Sequence, residues 1–175
     1  MFTKKKKKAF TLIELLVVIA IIGLLASITL VSLKGAIERA RYGRAQIEMD
    51  QIKKAIIVAR ENEGKALRYI TGSACSECAC RGVGDLSQLP DSHSCIINMT
   101  NFFNKIGLPL MRDPWGSPYL MDENEYEWSS NPCRRDTLNS AGPDKLYGPA
   151  GHDGNIEAYD NDGPRILVPM YSCVP

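Results

Sequence analysis

An apolar run containing one early acidic residue constrains this chain more than any other feature. Lys4 to Lys8 are five consecutive lysines, followed by Ala9-Phe10-Thr11-Leu12-Ile13-Glu14 and then an almost uninterrupted apolar stretch to Leu33. A basic run ahead of an apolar segment is an ordinary membrane signal. A carboxylate inside that segment is costly there and calls for a partner. Leu15 to Leu33 is 19 residues, about 28 Å as helix, which suits a bilayer core. Lysines on one flank only place the first residues in the cytoplasm and everything after Leu33 outside it. A conventional secretory signal is cut after its apolar region, and no small-x-small site leads into a polar start near Leu33.

The order Phe10-Thr11-Leu12-Ile13-Glu14, with a match running from Lys8 through Ile22, resembles the class III signal of type IV pilins and type II secretion pseudopilins. The resemblance implies cleavage between Ala9 and Phe10 by a membrane prepilin peptidase and N-methylation of Phe10. It implies that Glu14 meets the terminal amine of a neighbouring subunit during filament growth. The chain departs from the family at Ala9, where glycine is usual.

The formal charge of the 175 residues is +1, and loss of the five leader lysines leaves −4. A mildly acidic mature chain argues against nucleic-acid binding as the main role, since phosphate contact needs a basic face.

Beyond the apolar segment, Ala45, Met49, Ile52, Ile56 and Ala59 recur at helical spacing and form one stripe. Charged residues, among them Lys34, Glu38, Arg44, Glu48, Lys53 and Arg60, cover much of the remainder. No proline lies between Phe10 and Glu63. The pattern predicts a single helix of roughly 80 Å ending near Glu63, with Gly64 as its cap. The expected organisation is a leader over 1–9, a membrane-spanning or filament-core helix over 10–33, its amphipathic continuation over 34–64, and a globular head over 65–175.

The head contains all ten prolines and all six cysteines. Short strands are expected at Cys95 to Met99, Pro118 to Met121, Tyr126 to Trp128 and Arg165 to Tyr171. Thr71 to Pro90 reads as a cysteine-pinned loop, and Asn139 to Gly163 as a long Gly/Asp/Pro loop. The fold class is α+β: a long N-terminal helix packed on a small antiparallel sheet with a long C-terminal loop.

Asp113-Pro114-Trp115-Gly116-Ser117-Pro118-Tyr119 reads as a rigid turn with aromatic anchors. It is similar to the Asp-Pro-Trp-Gly-x-Pro-Tyr segment of the major pseudopilin of type II secretion. The acidic loop from Ser140 to Gly163 offers hard oxygen ligands that suit calcium. Major pseudopilins carry a similar loop, and that resemblance implies Asp144 as the first carboxylate, with the Ala141 carbonyl as a backbone ligand. The second pair stays open between Asp153 with Asn155 and Asp160 with Asp162.

Six cysteines outside the cytoplasm read as disulfides. Cys133 with Cys173 is one expected pair, tying the C-terminus to the body. The pairing of Cys75, Cys78, Cys80 and Cys95 stays open, and these four with His93 also allow a zinc site. No nucleophile-base-acid constellation and no phosphate-binding glycine motif is present, so an enzyme is not expected. The function expected is a structural subunit of a homo-oligomeric helical filament, read as a type II secretion major pseudopilin. The alternatives are a type IV pilin of an adhesion, motility or DNA-uptake pilus, or a membrane-anchored binding head that does not polymerise. The partners implied are the prepilin peptidase, an inner-membrane assembly platform and minor pilins or pseudopilins. The location implied is the inner membrane before assembly, then a periplasmic or cell-surface filament.

Overall fold

The first helix, α1 (Leu12–Glu63), runs 52 residues, and it starts and stops where local chemistry dictates. The computed structural model describes residues 10–148, 163–171 and 173, without the side chains of 28–32. At the start, the Thr11 hydroxyl accepts from the Glu14 amide at 3.2 Å, while Glu14 Oε2 accepts from the Thr11 amide at 2.8 Å. This reciprocal pair is a capping box. At the end, Gly64 adopts φ +62° and its amide donates to the Arg60 carbonyl at 2.8 Å. Only glycine reaches that conformation cheaply, which makes it the stop.

The chain divides into two units after Ala40, so α1 from Arg41 onward counts with the head. In the first unit the described apolar side chains, from Phe10 to Leu25, are exposed. Among the described residues no helix is long and apolar enough to cross a membrane.

In the second unit the predicted stripe is buried. Ala45, Met49, Ile52 and Ile56 are each 0% exposed, and Ala59 packs at the edge of the same cluster. Met49, Ile52 and Ile56 share a core with Leu67 of α2 (Leu67–Thr71), with Met99, Phe102 and Phe103 of α3 (Ser94–Lys105), and with sheet residues Leu120, Met121 and Leu138. The sheet has three antiparallel strands in the order β1 (Leu120–Asp122), β2 (Thr137–Asn139), β3 (Arg165–Leu167). Met121 pairs with Leu138, and Leu138 with Ile166.

Several strand expectations need correction. Cys95 to Met99 lies in α3, not in a strand. The buried residues Cys95, Ile96, Met99, Phe102 and Phe103 follow a helical period, and the two phenylalanines extend it beyond the apolar window read as strand. His93 caps this helix, its Nδ1 accepting from the Cys95 amide at 3.1 Å. Tyr126 to Trp128 forms a turn in place of a strand: Tyr126 has φ +64°, and its amide donates to the Pro132 carbonyl at 2.7 Å. Pro118 precedes β1 in an isolated bridge with Arg112, and β3 stops before Pro169. Strand β2 had no sequence counterpart, since three residues are too few for a period to register. The segment Thr71 to Pro90 is better ordered than a loop, with 3₁₀ turns at Ser76–Cys80 and Leu86–Gln88.

Candidate functional site

The N-terminal site is built on the first turn of α1. Glu14 Oε2 also accepts from the Thr11 hydroxyl at 2.8 Å. The carboxylate that seemed to need a distant partner therefore has a local one. The signal is legible in the sequence, since Thr-x-x-Glu is itself a capping-box pattern. Cleavage before Phe10 would leave the Thr11 amide intact, so this cap is compatible with the cut. Ala9 lies outside the described residues.

In the head, the Asp113 to Tyr119 segment is a gripping turn. Asp113 Oδ1 accepts from the Trp115 amide at 3.0 Å and the Ser117 amide at 2.9 Å, and Oδ2 accepts from the Ser140 hydroxyl at 2.6 Å. Burial raises the Asp113 pKa despite these donors. Gly116 takes φ +97°, which this turn requires. The two aromatics reach α1: Trp115 meets the Tyr42 ring edge-on at 4.9 Å, and the Tyr119 hydroxyl donates to Glu48 Oε2 at 2.7 Å. Burial and the Glu48 carboxylate both raise the Tyr119 pKa. The motif thus clamps helix to sheet, and its chemistry is structural.

The head also buries an unusual set of charges that sequence reading missed. Glu77, Asp113, Asp122, Glu123, Glu125 and Asp136 are all buried. Arg60, read as a solvent-facing residue, is 2% exposed and ion-paired to Asp136. Its guanidinium also lies 4.0 Å from Glu125 and donates to the Pro169 carbonyl. Glu125 in turn accepts from the Tyr171 amide at 3.0 Å and the Cys173 amide at 3.1 Å. One arginine thereby ties the end of α1 to the sheet and the C-terminal segment. Asp136 sits at about 6: burial pushes it up, the Arg60 charge pulls it down, and the Glu125 carboxylate adds a further push. Glu123 is pushed up to about 8 by burial, although it accepts from the Ser76 amide and hydroxyl. A second cluster joins Glu77, Asp122 and Arg81. Glu77 accepts from Arg81 at 2.9 Å, from Asn139 at 3.1 Å and from the Tyr147 hydroxyl. Asp122 is pushed up to about 7 by burial and by the neighbouring Glu77 carboxylate. The acids of 122–127 carry no sequence signal of burial, and only their tertiary neighbours reveal it.

Three disulfides staple the head: Cys75–Cys78, Cys80–Cys95 and Cys133–Cys173. The zinc alternative is thereby overturned, because Cys75, Cys78, Cys80 and Cys95 have no thiol left and His93 caps α3. Among the described residues one group has metal-like spacing: Cys75 Sγ and carboxylate oxygens of Glu77 and Asp122, all within 4.8 Å. With that sulfur in a disulfide, the donor set does not suit a metal.

Of the expected calcium ligands, Ala141 is buried and Asp144 is exposed, with Oδ1 accepting from the Leu146 amide at 3.0 Å. Asp153, Asn155, Asp160 and Asp162 lie outside the described residues. Past the loop, the chain passes so close to Ser140 that a Cβ on Gly163 would sit 2.0 Å from the Ser140 carbonyl oxygen, so only glycine fits.

Residues 4–30 match the model of the prokaryotic N-terminal methylation motif. The chain is similar to a fimbrial protein of Moraxella nonliquefaciens, with 46% identity over 32% of this chain and 36% of that protein. It is similar to a probable minor fimbrial protein of Dichelobacter nodosus, with 36% identity over 46% of this chain and 48% of that protein. A type IV major fimbrial protein of Dichelobacter nodosus shares 43% identity over 30% of this chain and 34% of its own length. The chain thus spans between about a third and a half of these relatives. No solved structure matches. The N-terminal methylation motif and the fimbrial relatives thus make the N-terminal part of this chain similar to that of type IV fimbrial proteins.

Proposed function

We propose that the chain is anchored by its apolar N-terminal segment, is cut between Ala9 and Phe10 by a prepilin peptidase, and then polymerises into a helical filament outside the cytoplasm. The observation that carries this is the exposed apolar face from Phe10 to Leu25 on a helix whose cap includes Glu14. Nothing in that unit covers the face, and lipid or neighbouring helices are the surroundings that suit it. An assembly platform and minor subunits are the partners such a filament requires. The DPWGSPY clamp favours a major pseudopilin of type II secretion. The fimbrial relatives favour a surface pilus as the second reading.

Mass spectrometry of assembled material should show N-methylated Phe10 as the first residue, and an intact Met1 would sink the proposal. Glu14→Leu should leave insertion and cleavage intact yet abolish fibres. Glu14→Gln tests the charge alone. Fibres of wild-type yield and helical rise from both variants would remove Glu14 from assembly. Long fibres sheared from the cell surface at natural expression would decide for the pilus, and confinement to the periplasm for the pseudopilin.

Calcium binding by the Asp144 loop belongs to the same reading. Millimolar calcium should raise the melting temperature of the full chain in detergent, and Asp144→Ala should cancel the shift. An unchanged wild-type melting temperature would end the calcium proposal.

A further inference from the structure

The three disulfides differ in what they do. Cys80–Cys95 is buried at both ends and ties the first 3₁₀ turn to α3, and Cys133–Cys173 closes 40 residues of chain. Cys75–Cys78 closes a separation of only three residues. A loop that short removes little entropy from the unfolded chain, so stability does not account for it. Its two residues are unequally placed, with Cys78 exposed and Cys75 half-buried. Cys75 Sγ lies within 4.8 Å of carboxylate oxygens of both Glu77 and Asp122. Asp122 Oδ1 is fully buried and has no hydrogen-bond partner among the described residues. A buried carboxylate with one unpartnered oxygen, beside the inner cysteine of a Cys-x-x-Cys bond, is the arrangement a proton donor needs.

We propose that Cys75–Cys78 is a thiol–disulfide exchange site, in which an external dithiol attacks Cys78 Sγ and Asp122 protonates the departing Cys75 sulfur. One thiolate of the dithiol bonds to Cys78 Sγ. The Cys75–Cys78 bond breaks, and its electron pair goes to Cys75, which takes a proton from Asp122 across a gap that one water spans. The second thiolate of the dithiol then attacks the dithiol's own sulfur in the mixed disulfide. Cys78 leaves and is protonated from water. The dithiol ends as a disulfide, and Cys75 and Cys78 end as thiols, a two-electron transfer in balance. The reverse sequence reoxidises the pair. Attack is directed to Cys78 because it is the accessible sulfur. Glu77, Glu127, Arg81 and Asn124 face Asp122. The first two favour retention of its proton, whereas Arg81 and Asn124 favour release. The Arg81 guanidinium, 3.7 Å from Asp122 Oδ2, offsets the carboxylate left after transfer. This inference does not depend on the filament reading.

The experiment uses the full chain in detergent, limiting dithiothreitol, a maleimide quench and peptide mass spectrometry. Cys75 and Cys78 should be labelled about tenfold or more faster than the other four cysteines. Per dithiothreitol thiolate, the wild-type rate should fall as pH rises through about 7, where Asp122 loses its proton. Asp122→Asn should be slower on the order of a hundredfold and flat with pH, with the other two disulfides closed and the wild-type circular dichroism retained. If Asp122→Asn does not fold, polarity remains testable in two further variants treated with glutathione disulfide. Cys75→Ser should trap a mixed disulfide at Cys78 readily, and Cys78→Ser should trap it slowly at Cys75. Opening of Cys75–Cys78 no faster than Cys133–Cys173, an Asp122→Asn pH profile like the wild type's, or equal trapping at both sulfurs would overturn the proposal.

Discussion

The two units of this chain solve opposite problems. From Phe10 to Leu25 the helix presents apolar side chains outward and holds its one acid in a cap made with its own Thr11. From Arg41 onward the same helix turns its apolar stripe inward, and the head that it joins buries acids against two arginines. Within the first unit the described apolar side chains stay exposed. The second unit is self-contained, and it spends part of its hydrophobic gain on desolvating charge. An exposed apolar surface and a buried apolar stripe thus lie on different stretches of α1. The difference predicts where substitutions act: assembly should respond to the first unit and stability to the second.

The sharpest way to break this comparison is Arg60→Ala. Removing the guanidinium strands the Asp136 carboxylate in the interior, which should destabilise the head by about 3–5 kcal/mol, read by denaturant unfolding of the full chain in detergent. A loss under 1 kcal/mol would mean that the cluster is solvated and that the head is not organised around it.

The pH dependence comes next. Folding holds protons on Glu123, Asp122 and Asp136 up to about 8, 7 and 6, whereas unfolded carboxyls release them near pH 4. Between those limits the folded head binds more protons than the unfolded chain, so stability falls as pH rises. The head should be more stable at pH 5 than at pH 8.5, by an amount on the order of a few kcal/mol. A melting temperature that rises over that range would reverse the assignment of buried, protonated acids.

Smaller effects sharpen the picture. Tyr119→Phe removes the hydroxyl held by Glu48 and should cost about 1.5–3 kcal/mol, the range for a hydrogen bond to a charged group. Fibre yield should be unchanged, because the clamp belongs to the head. Thr11→Val deletes half of the cap and should cost about 1 kcal/mol of helix start, visible as faster amide exchange at residues 12–14. It leaves the Glu14 carboxylate in place, so fibres should still form. If Thr11→Val abolishes them as Glu14→Leu is expected to, the cap, and not charge pairing between subunits, is what assembly needs.

The local chemistry of the chain was open to reading from residue order alone. A helix period, a proline-free run and a glycine that alone tolerates φ +62° define α1 and its end at Glu63. The Phe10 to Glu14 order lies within the N-terminal methylation motif that residues 4–30 match, and it is legible because its information is contiguous. Sequence order also made Asp113 to Tyr119 a rigid turn, since proline and glycine act on their own backbone.

Tertiary structure alone decided the rest. Cys95 to Phe103 is helical with Cys95, Ile96, Met99, Phe102 and Phe103 buried on one face, a period that the short window from Cys95 to Met99 does not disclose. The three residues of β2 are a strand only because β1 and β3 flank them. Arg60 and the acids of 122–127 turned inward because their counterparts come from distant parts of the chain, as Arg60 and Asp136, 76 residues apart, illustrate. Proximity between residues far apart in sequence is what sets burial, and burial is what sets the protonation of a carboxylate. That is why Asp122 reads as one more surface acid in sequence and stands beside a disulfide in the folded head.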